Sequence, residues 1–167
     1  MATIKSQQQK ITPCLWFDTN AEEAVNFYIS IFKNAKKGKI SRYGEGAPLP
    51  KGTVLTISFQ IAGQKFMALN GGPYFKFTEA VSFVVNCETQ KEIDYYWEKL
   101  SKGGAKVECG WLKDKFGLSW QIVPTILSEL MTDKNSGKSS RVMQAILKMK
   151  KLDIKTLQKA FQGNKKS

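Results

Sequence analysis

A chain of 167 residues, 42% hydrophobic and 24% charged, can bury a core without disulfides and is composed like an ordinary soluble protein; no apolar run approaches the length that crosses a bilayer. It has no histidine, which excludes His-dependent triads, Cys-His nucleophile pairs and His-containing zinc sites. Its net charge of +12 would attract polyanions, but the excess is concentrated in lysines after Asp133, where Asp153 is the only later carboxylate, so a solvated basic tail is expected and a nucleic-acid partner is not.

In chain order, residues 1–10 read as a loose polar tail with no signal or transit character. Ile11 to Phe17 (ITPCLWF) reads as a strand covered on both faces. A helix follows, with Asn20 as N-cap, Glu23 three places on, and Ala24, Val25, Tyr28, Ile31 and Phe32 at helical spacing. A basic, glycine-containing loop holds a short strand near Lys39 to Tyr43. Thr53 to Ile61 and Lys65 to Asn70 then read as a hairpin through Ala62, Gly63 and Gln64.

At Gly71, Gly72 and Pro73 the pattern stops and begins again. Ala80 to Val85 is the next strand. Thr89 and Glu92 spell a capping box before a helix with Ile93, Tyr96, Trp97 and Leu100 on its apolar face, closed by Gly103 and Gly104. Lys106 to Leu112 and Leu118 to Val123 read as two strands around a turn, in which Lys113 and Asp114 are expected to be solvated. The order of the first half recurs, so the chain reads as two copies of a strand-helix-strands unit, 11–72 and 73–125. The lysine-rich extension 126–167 reads as short helices. Val142, Ile146 and Met149 mark one of them, and Asp153 caps a last one carrying Ile154, Leu157 and Phe161, their apolar faces docking on the body or on a partner. The three cysteines, Cys14, Cys87 and Cys109, have no Cys-x-x-Cys spacing and an odd count, which points to free thiols in the cytoplasm.

The stretches KITPCLWFDTNAEEAVNFYISIF, FMALNGGPYFKF, CGWLKDKFGLSWQIVP and RVMQAILKMKKLDI resemble the PhnB-like branch of the vicinal oxygen chelate superfamily. That is the glyoxalase, bleomycin-resistance and dioxygenase group, and this branch is widely labelled demethylubiquinone 3-methyltransferase-like. The resemblance implies an α+β fold of two paired βαβββ modules, each curling its sheet into part of a cup, and commonly a homodimer. Metal-using relatives place one ligand on each of four strands. The positions that look equivalent are Thr12, Ala68, Ala80 and Gln121, which offer two neutral oxygens and two alanines, so no metal is expected. A familiar S-adenosylmethionine site needs a glycine-rich loop between its first strand and helix, where FDTNAEE has no glycine, so no cofactor is expected either.

If the cup exists, strand alternation decides what lines it. With Thr12 inward, the pocket would take Thr12, Cys14 and Trp16, then Phe66, Ala68 and Asn70, then Ser82, and finally Ser119 and Gln121, with Ala80, Val84 and Val123 in phase. Tyr74, Phe75 and Phe77 would form its rim. The expected function is binding of an apolar or aromatic small molecule by a cytoplasmic homodimer that does not insert in membranes, with or without metal-independent catalysis. Two alternatives stand beside it: an enzyme on a quinone-like substrate using Tyr74, Cys14 or Glu79 as a proton-handling group, and a basic interaction module acting through the C-terminal helices.

Overall fold

Strand β1 (Cys14–Phe17) leads into helix α1 (Ala21–Ile31), followed by β2 (Lys36–Arg42), β3 (Val54–Ile61) and β4 (Gln64–Asn70). The computed structural model describes residues 9–163, and the chain divides into two compact units between Lys76 and Phe77. Most of the expected 1–10 tail lies outside the described residues. In the first unit the sheet order is β1-β4-β3-β2, with β1 parallel to β4 and the other pairs antiparallel. The β3–β4 hairpin turns through Ala62 and Gly63, both at positive φ, as its short Ala-Gly link requires.

Helix α1 packs on β3 and β4 because its apolar positions fall on one stripe: Ala21, Ala24, Val25, Tyr28 and Ile31 are all buried. The sheet answers with Leu15, Phe17, Ile57, Phe59, Phe66 and Ala68, also buried. Two expectations change here. β1 is covered on one face only, for Cys14 is exposed and Trp16 half-buried. Asn20 occupies the N-cap position, yet its side chain makes no cap bond. The amide of Asn70, at the end of β4, accepts the Ala21 N–H at 2.8 Å instead.

The second unit repeats the topology with β5 (Ser82–Cys87), α2 (Gln90–Ser101), β6 (Ala105–Lys106), β7 (Trp111–Lys113) and β8 (Ser119–Pro124), in sheet order β5-β8-β7-β6. Thr89 and Glu92 form the expected capping box, and Ile93, Trp97 and Leu100 are buried against the sheet. The strand expected over Lys106 to Leu112 is two short ones, because Cys109 and Gly110 take positive φ and break it. Both donate backbone N–H groups to the carbonyls of Met149 and Lys150 at 2.7 Å.

That break is where the C-terminal helices attach. α3 (Leu127–Thr132), α4 (Ser136–Ile146) and α5 (Ile154–Gln162) enclose Leu130, Val142, Ile146, Leu152 and Leu157, with Cys109 and Phe161 packed against them. Asp153 caps α5 through the Thr156 N–H at 2.7 Å, and Gln90 of α2 bonds both Leu152 O and Ile154 N. No helix among the described residues is long and apolar enough to cross a membrane.

Candidate functional site

Each sheet carries its helix on one face and leaves the other uncovered within its own unit. Residues at i and i+2 of a strand share a face, so the register decides which side chains are presented. In the first sheet Cys14 pairs with Met67 and Trp16 with Leu69, while Ser58 pairs with Met67 and Thr56 with Leu69. The open face is therefore Cys14, Trp16, Thr56, Ser58, Met67 and Leu69, with Thr12 in phase ahead of the strand.

This takes three of the nine expected pocket residues off the open face. Phe66, Ala68 and Asn70 lie on the opposite, helix-covered face, at 5%, 0% and 1% exposure. Phe66 stacks on Phe59, and Asn70 is spent on backbone: its Oδ1 accepts from Ala21 and its Nδ2 donates to Val54 O at 3.0 Å. Ala68 and Asn70 are not available to a ligand on the open face, and Phe66 only borders the cavity at the lower end of that face.

The upper end of that face is aromatic. The Trp16 indole N–H donates to Gly72 O at 2.9 Å, and the Phe75 ring meets the indole edge-on with centroids 4.9 Å apart. Gly71 makes this possible, since a Cβ there would lie 2.2 Å from the Trp16 ring. The glycine expected only to turn the chain thus seats an indole. Tyr74 and Phe75 are 78% and 65% exposed, and Phe77 is half-buried at the start of the second unit. At the lower end lies a cavity of about 300 Å³ bounded by Thr12, Gly38, Ser58 and Met67, with Lys36, Gln60 and Lys65 around it.

In the second sheet the expected grouping of Ser82, Ser119 and Gln121 is on one face: Ser82 pairs with Ser119, and the Gln121 amide donates to Ser82 Oγ at 2.9 Å. Ala80 precedes the strand and is exposed. Ser119 Oγ is buried and has no hydrogen-bond partner among the described residues. Sequence reasoning missed two neighbours. Lys113 lies on β7 opposite Ser119, not in a solvated turn, and it pairs with Glu79. Asp114, on the other side, is 2% exposed and accepts three N–H groups, from Phe116, Leu118 and the Trp120 indole. The Asp-x-x-Gly sequence, with a tryptophan three residues later, was the only signal for it.

The titratable groups nearest these faces are poorly tuned for proton transfer. Partial desolvation by its neighbours pushes the exposed Cys14 thiol above its ordinary value, away from thiolate. The Lys113 hydrogen bond holds the Glu79 carboxyl below the usual range, which keeps it ionised and a weak base. Burial, helped by the charge of Glu92, pushes Cys87 up to about 12. In iodoacetamide labelling of the folded protein, Cys87 is therefore expected to react only after urea unfolds the chain. Cys14 should react with a half-rate pH above that of a free thiol, about 8.5. Rapid alkylation of Cys14 at pH 7 would reinstate it as a nucleophile.

The four metal-ligand positions do not fit a metal. Ala68 is under α1, Ala80 has no donor, and Thr12 and Gln121 offer neutral oxygens, the Gln121 amide being bonded to Ser82. Among the described residues no group of three or more His, Cys, Asp or Glu is placed to hold an ion. S-adenosylmethionine fares no better: β1 reaches α1 through Asp18, Thr19 and Asn20, and neither sheet is a parallel doubly wound one. The basic C-terminal helices are partly neutralised by Lys138–Asp133, Lys150–Glu108 and Lys151–Asp94 pairs. Arg141 is bonded to the Ala160 and Phe161 carbonyls at the end of α5.

A family model described as 3-demethylubiquinone-9 3-methyltransferase matches residues 9–123. The PhnB protein from Bacillus cereus is 42% identical over 70% of this chain and 100% of its own, with a TM-score of 0.65. A protein from Pseudomonas aeruginosa, 20% identical, aligns over 70% of this chain and 97% of its own at a TM-score of 0.59. The fosfomycin resistance protein FosX from Mesorhizobium loti, 13% identical, aligns over 75% and 98% at 0.54. These two share the fold. No curated protein matches the chain.

Proposed function

The chain belongs to the 3-demethylubiquinone-9 3-methyltransferase family, the PhnB-like branch of the vicinal oxygen chelate superfamily, and from that premise we propose that it binds an apolar or aromatic small molecule without a metal. The observation that carries the reading is the open face of the first sheet. There Met67, Leu69, Trp16 and Phe75 form an apolar strip that ends in a cavity at the lower limit of small-molecule sites. An exposed apolar strip of this kind is costly in water unless something covers it.

The second unit, taken by itself, carries polar groups on its sheet: the Ser82–Gln121 pair and the buried Ser119 hydroxyl, unpartnered among the described residues. Binding needs no proton transfer, which suits a raised Cys14 and an ion-paired Glu79. The working unit in this reading is a homodimer, and the free thiols suit a reducing cytoplasm.

Native mass spectrometry of gently purified protein tests it. A dimer with an organic adduct is expected, and Met67→Glu, which puts a charge on the strip, should retain about tenfold less. A metal-sized adduct, or full retention in the Met67→Glu protein, counts against the proposal.

A further inference from the structure

The cavity on the first sheet is charged in a way that the apolar strip above it is not. Lys36 on β2 pairs across with Gln60 on β3, and Gln60 pairs with Lys65 on β4, so two ammonium groups flank one amide in a single cross-strand row. With strands spaced about 4.8 Å, their backbones are about 10 Å apart, within reach of one small anion for two lysine side chains. Among the described residues, no aspartate or glutamate borders the cavity. Neither lysine has an ion-pair partner among the described residues, whereas their neighbour Lys37 is paired with Glu22 on the helix side.

The next row makes the room. Gly38 sits at an irregularity in β2, and a Cβ there would come 2.4 Å from Ser58 Oγ, so the absent side chain keeps the space open. Thr12 adds a hydroxyl and Met67 an apolar side chain, while the Ser58 hydroxyl is spent on the Lys39 backbone, accepting its N–H at 2.7 Å and donating to its carbonyl at 3.3 Å. From Lys65 the open face runs through Met67 and Leu69 to the Trp16–Phe75 pair, two unpaired cations at one end and aromatic rings at the other.

The geometry points to an apolar carboxylic acid as the ligand class, with its carboxylate between Lys36 and Lys65 and its apolar body along β4 toward Trp16. This rests on the small-molecule reading above and specifies the charge of the molecule. Charge-assisted hydrogen bonds from two ammonium groups discriminate an acid from its neutral isostere, while the apolar strip accepts both.

The test compares naphthalene-1-acetate with naphthalene-1-acetamide, alike in shape and differing in charge, by isothermal titration calorimetry. Wild-type protein is expected to bind the acid at least tenfold more tightly than the amide. The Lys36→Met/Lys65→Met protein should bind both at the amide's affinity, and Lys33→Met/Lys91→Met, with the same loss of net charge elsewhere, should keep the preference. Equal binding of acid and amide by wild type overturns the acid assignment and leaves the apolar site standing. So does a preference that survives in Lys36→Met/Lys65→Met, or one lost equally in the control. Failure of both probes to bind overturns the small-molecule reading itself.

Discussion

Asp114→Ala is expected to destabilise the protein by about 3–5 kcal/mol, read as a lower urea midpoint at unchanged slope. The wild-type carboxylate is buried, and its oxygens accept the Phe116 N–H at 2.8 Å, the Leu118 N–H at 3.1 Å and the Trp120 indole N–H at 2.9 Å. Alanine removes both acceptor oxygens and with them all three bonds, leaving the buried Leu118 and Trp120 donors without water to replace them. Asp114→Asn separates shape from charge. Its single carbonyl oxygen can serve the two backbone groups, but its NH₂ then faces the indole N–H, donor against donor, so an intermediate loss is expected.

The consequence reaches the candidate site because Asp114 closes the β7–β8 hairpin, whose backbone also bonds Asp114 N to Leu118 O. The register of that hairpin decides that Ser119 and Gln121 share the open face. The alanine protein should therefore loosen the Gln121–Ser82 bond, read as a shift of the Gln121 side-chain amide NMR signal that a surface variant of equal stability does not show. A loss under about 1 kcal/mol would mean that the hairpin holds its register without the carboxylate.

Much of this architecture was legible in the sequence where one local rule acted alone. The Thr89–Glu92 box, the α1 stripe and the Asp153 cap need only neighbours within a turn, and all three are found. Strand parity was legible on β8, where Ser119, Gln121 and Val123 alternate with Trp120 and Ile122. It was not legible on β4: Phe66, Met67, Ala68 and Leu69 are apolar on both faces, so alternation carries no information there. Only the pairing of Cys14 with Met67 decides the face, and a one-residue error moved three expected pocket residues under the helix. The lysine row was invisible for a related reason. Lys36, Gln60 and Lys65 are 24 and 5 residues apart in sequence, and β2 shifts register between Lys37 and Ile40, so no spacing announces them.

The same logic gives Asn70→Ala a loss of about 2–4 kcal/mol, although asparagine at the end of a strand looks dispensable. Its amide is spent on two backbone groups of different elements, as acceptor for Ala21 N–H at the start of α1 and donor to Val54 O at the start of β3. Both bonds are buried, and both vanish in alanine. The first is a helix N-terminal donor that Asn20, though placed as N-cap, does not satisfy with its side chain. Asn20→Ala should therefore change stability by no more than about 0.5 kcal/mol, the ordinary effect of an exposed surface position. Urea titrations of the two variants form a direct contrast. A large loss for both would return the cap to Asn20, and a small loss for both would mean that α1 is held by its buried stripe without the amide. The expected asymmetry would instead make Asn70 the clasp between β4 and α1, and thereby explain why a polar residue sits on the helix side of the sheet while the apolar Met67 and Leu69 are left on its open face.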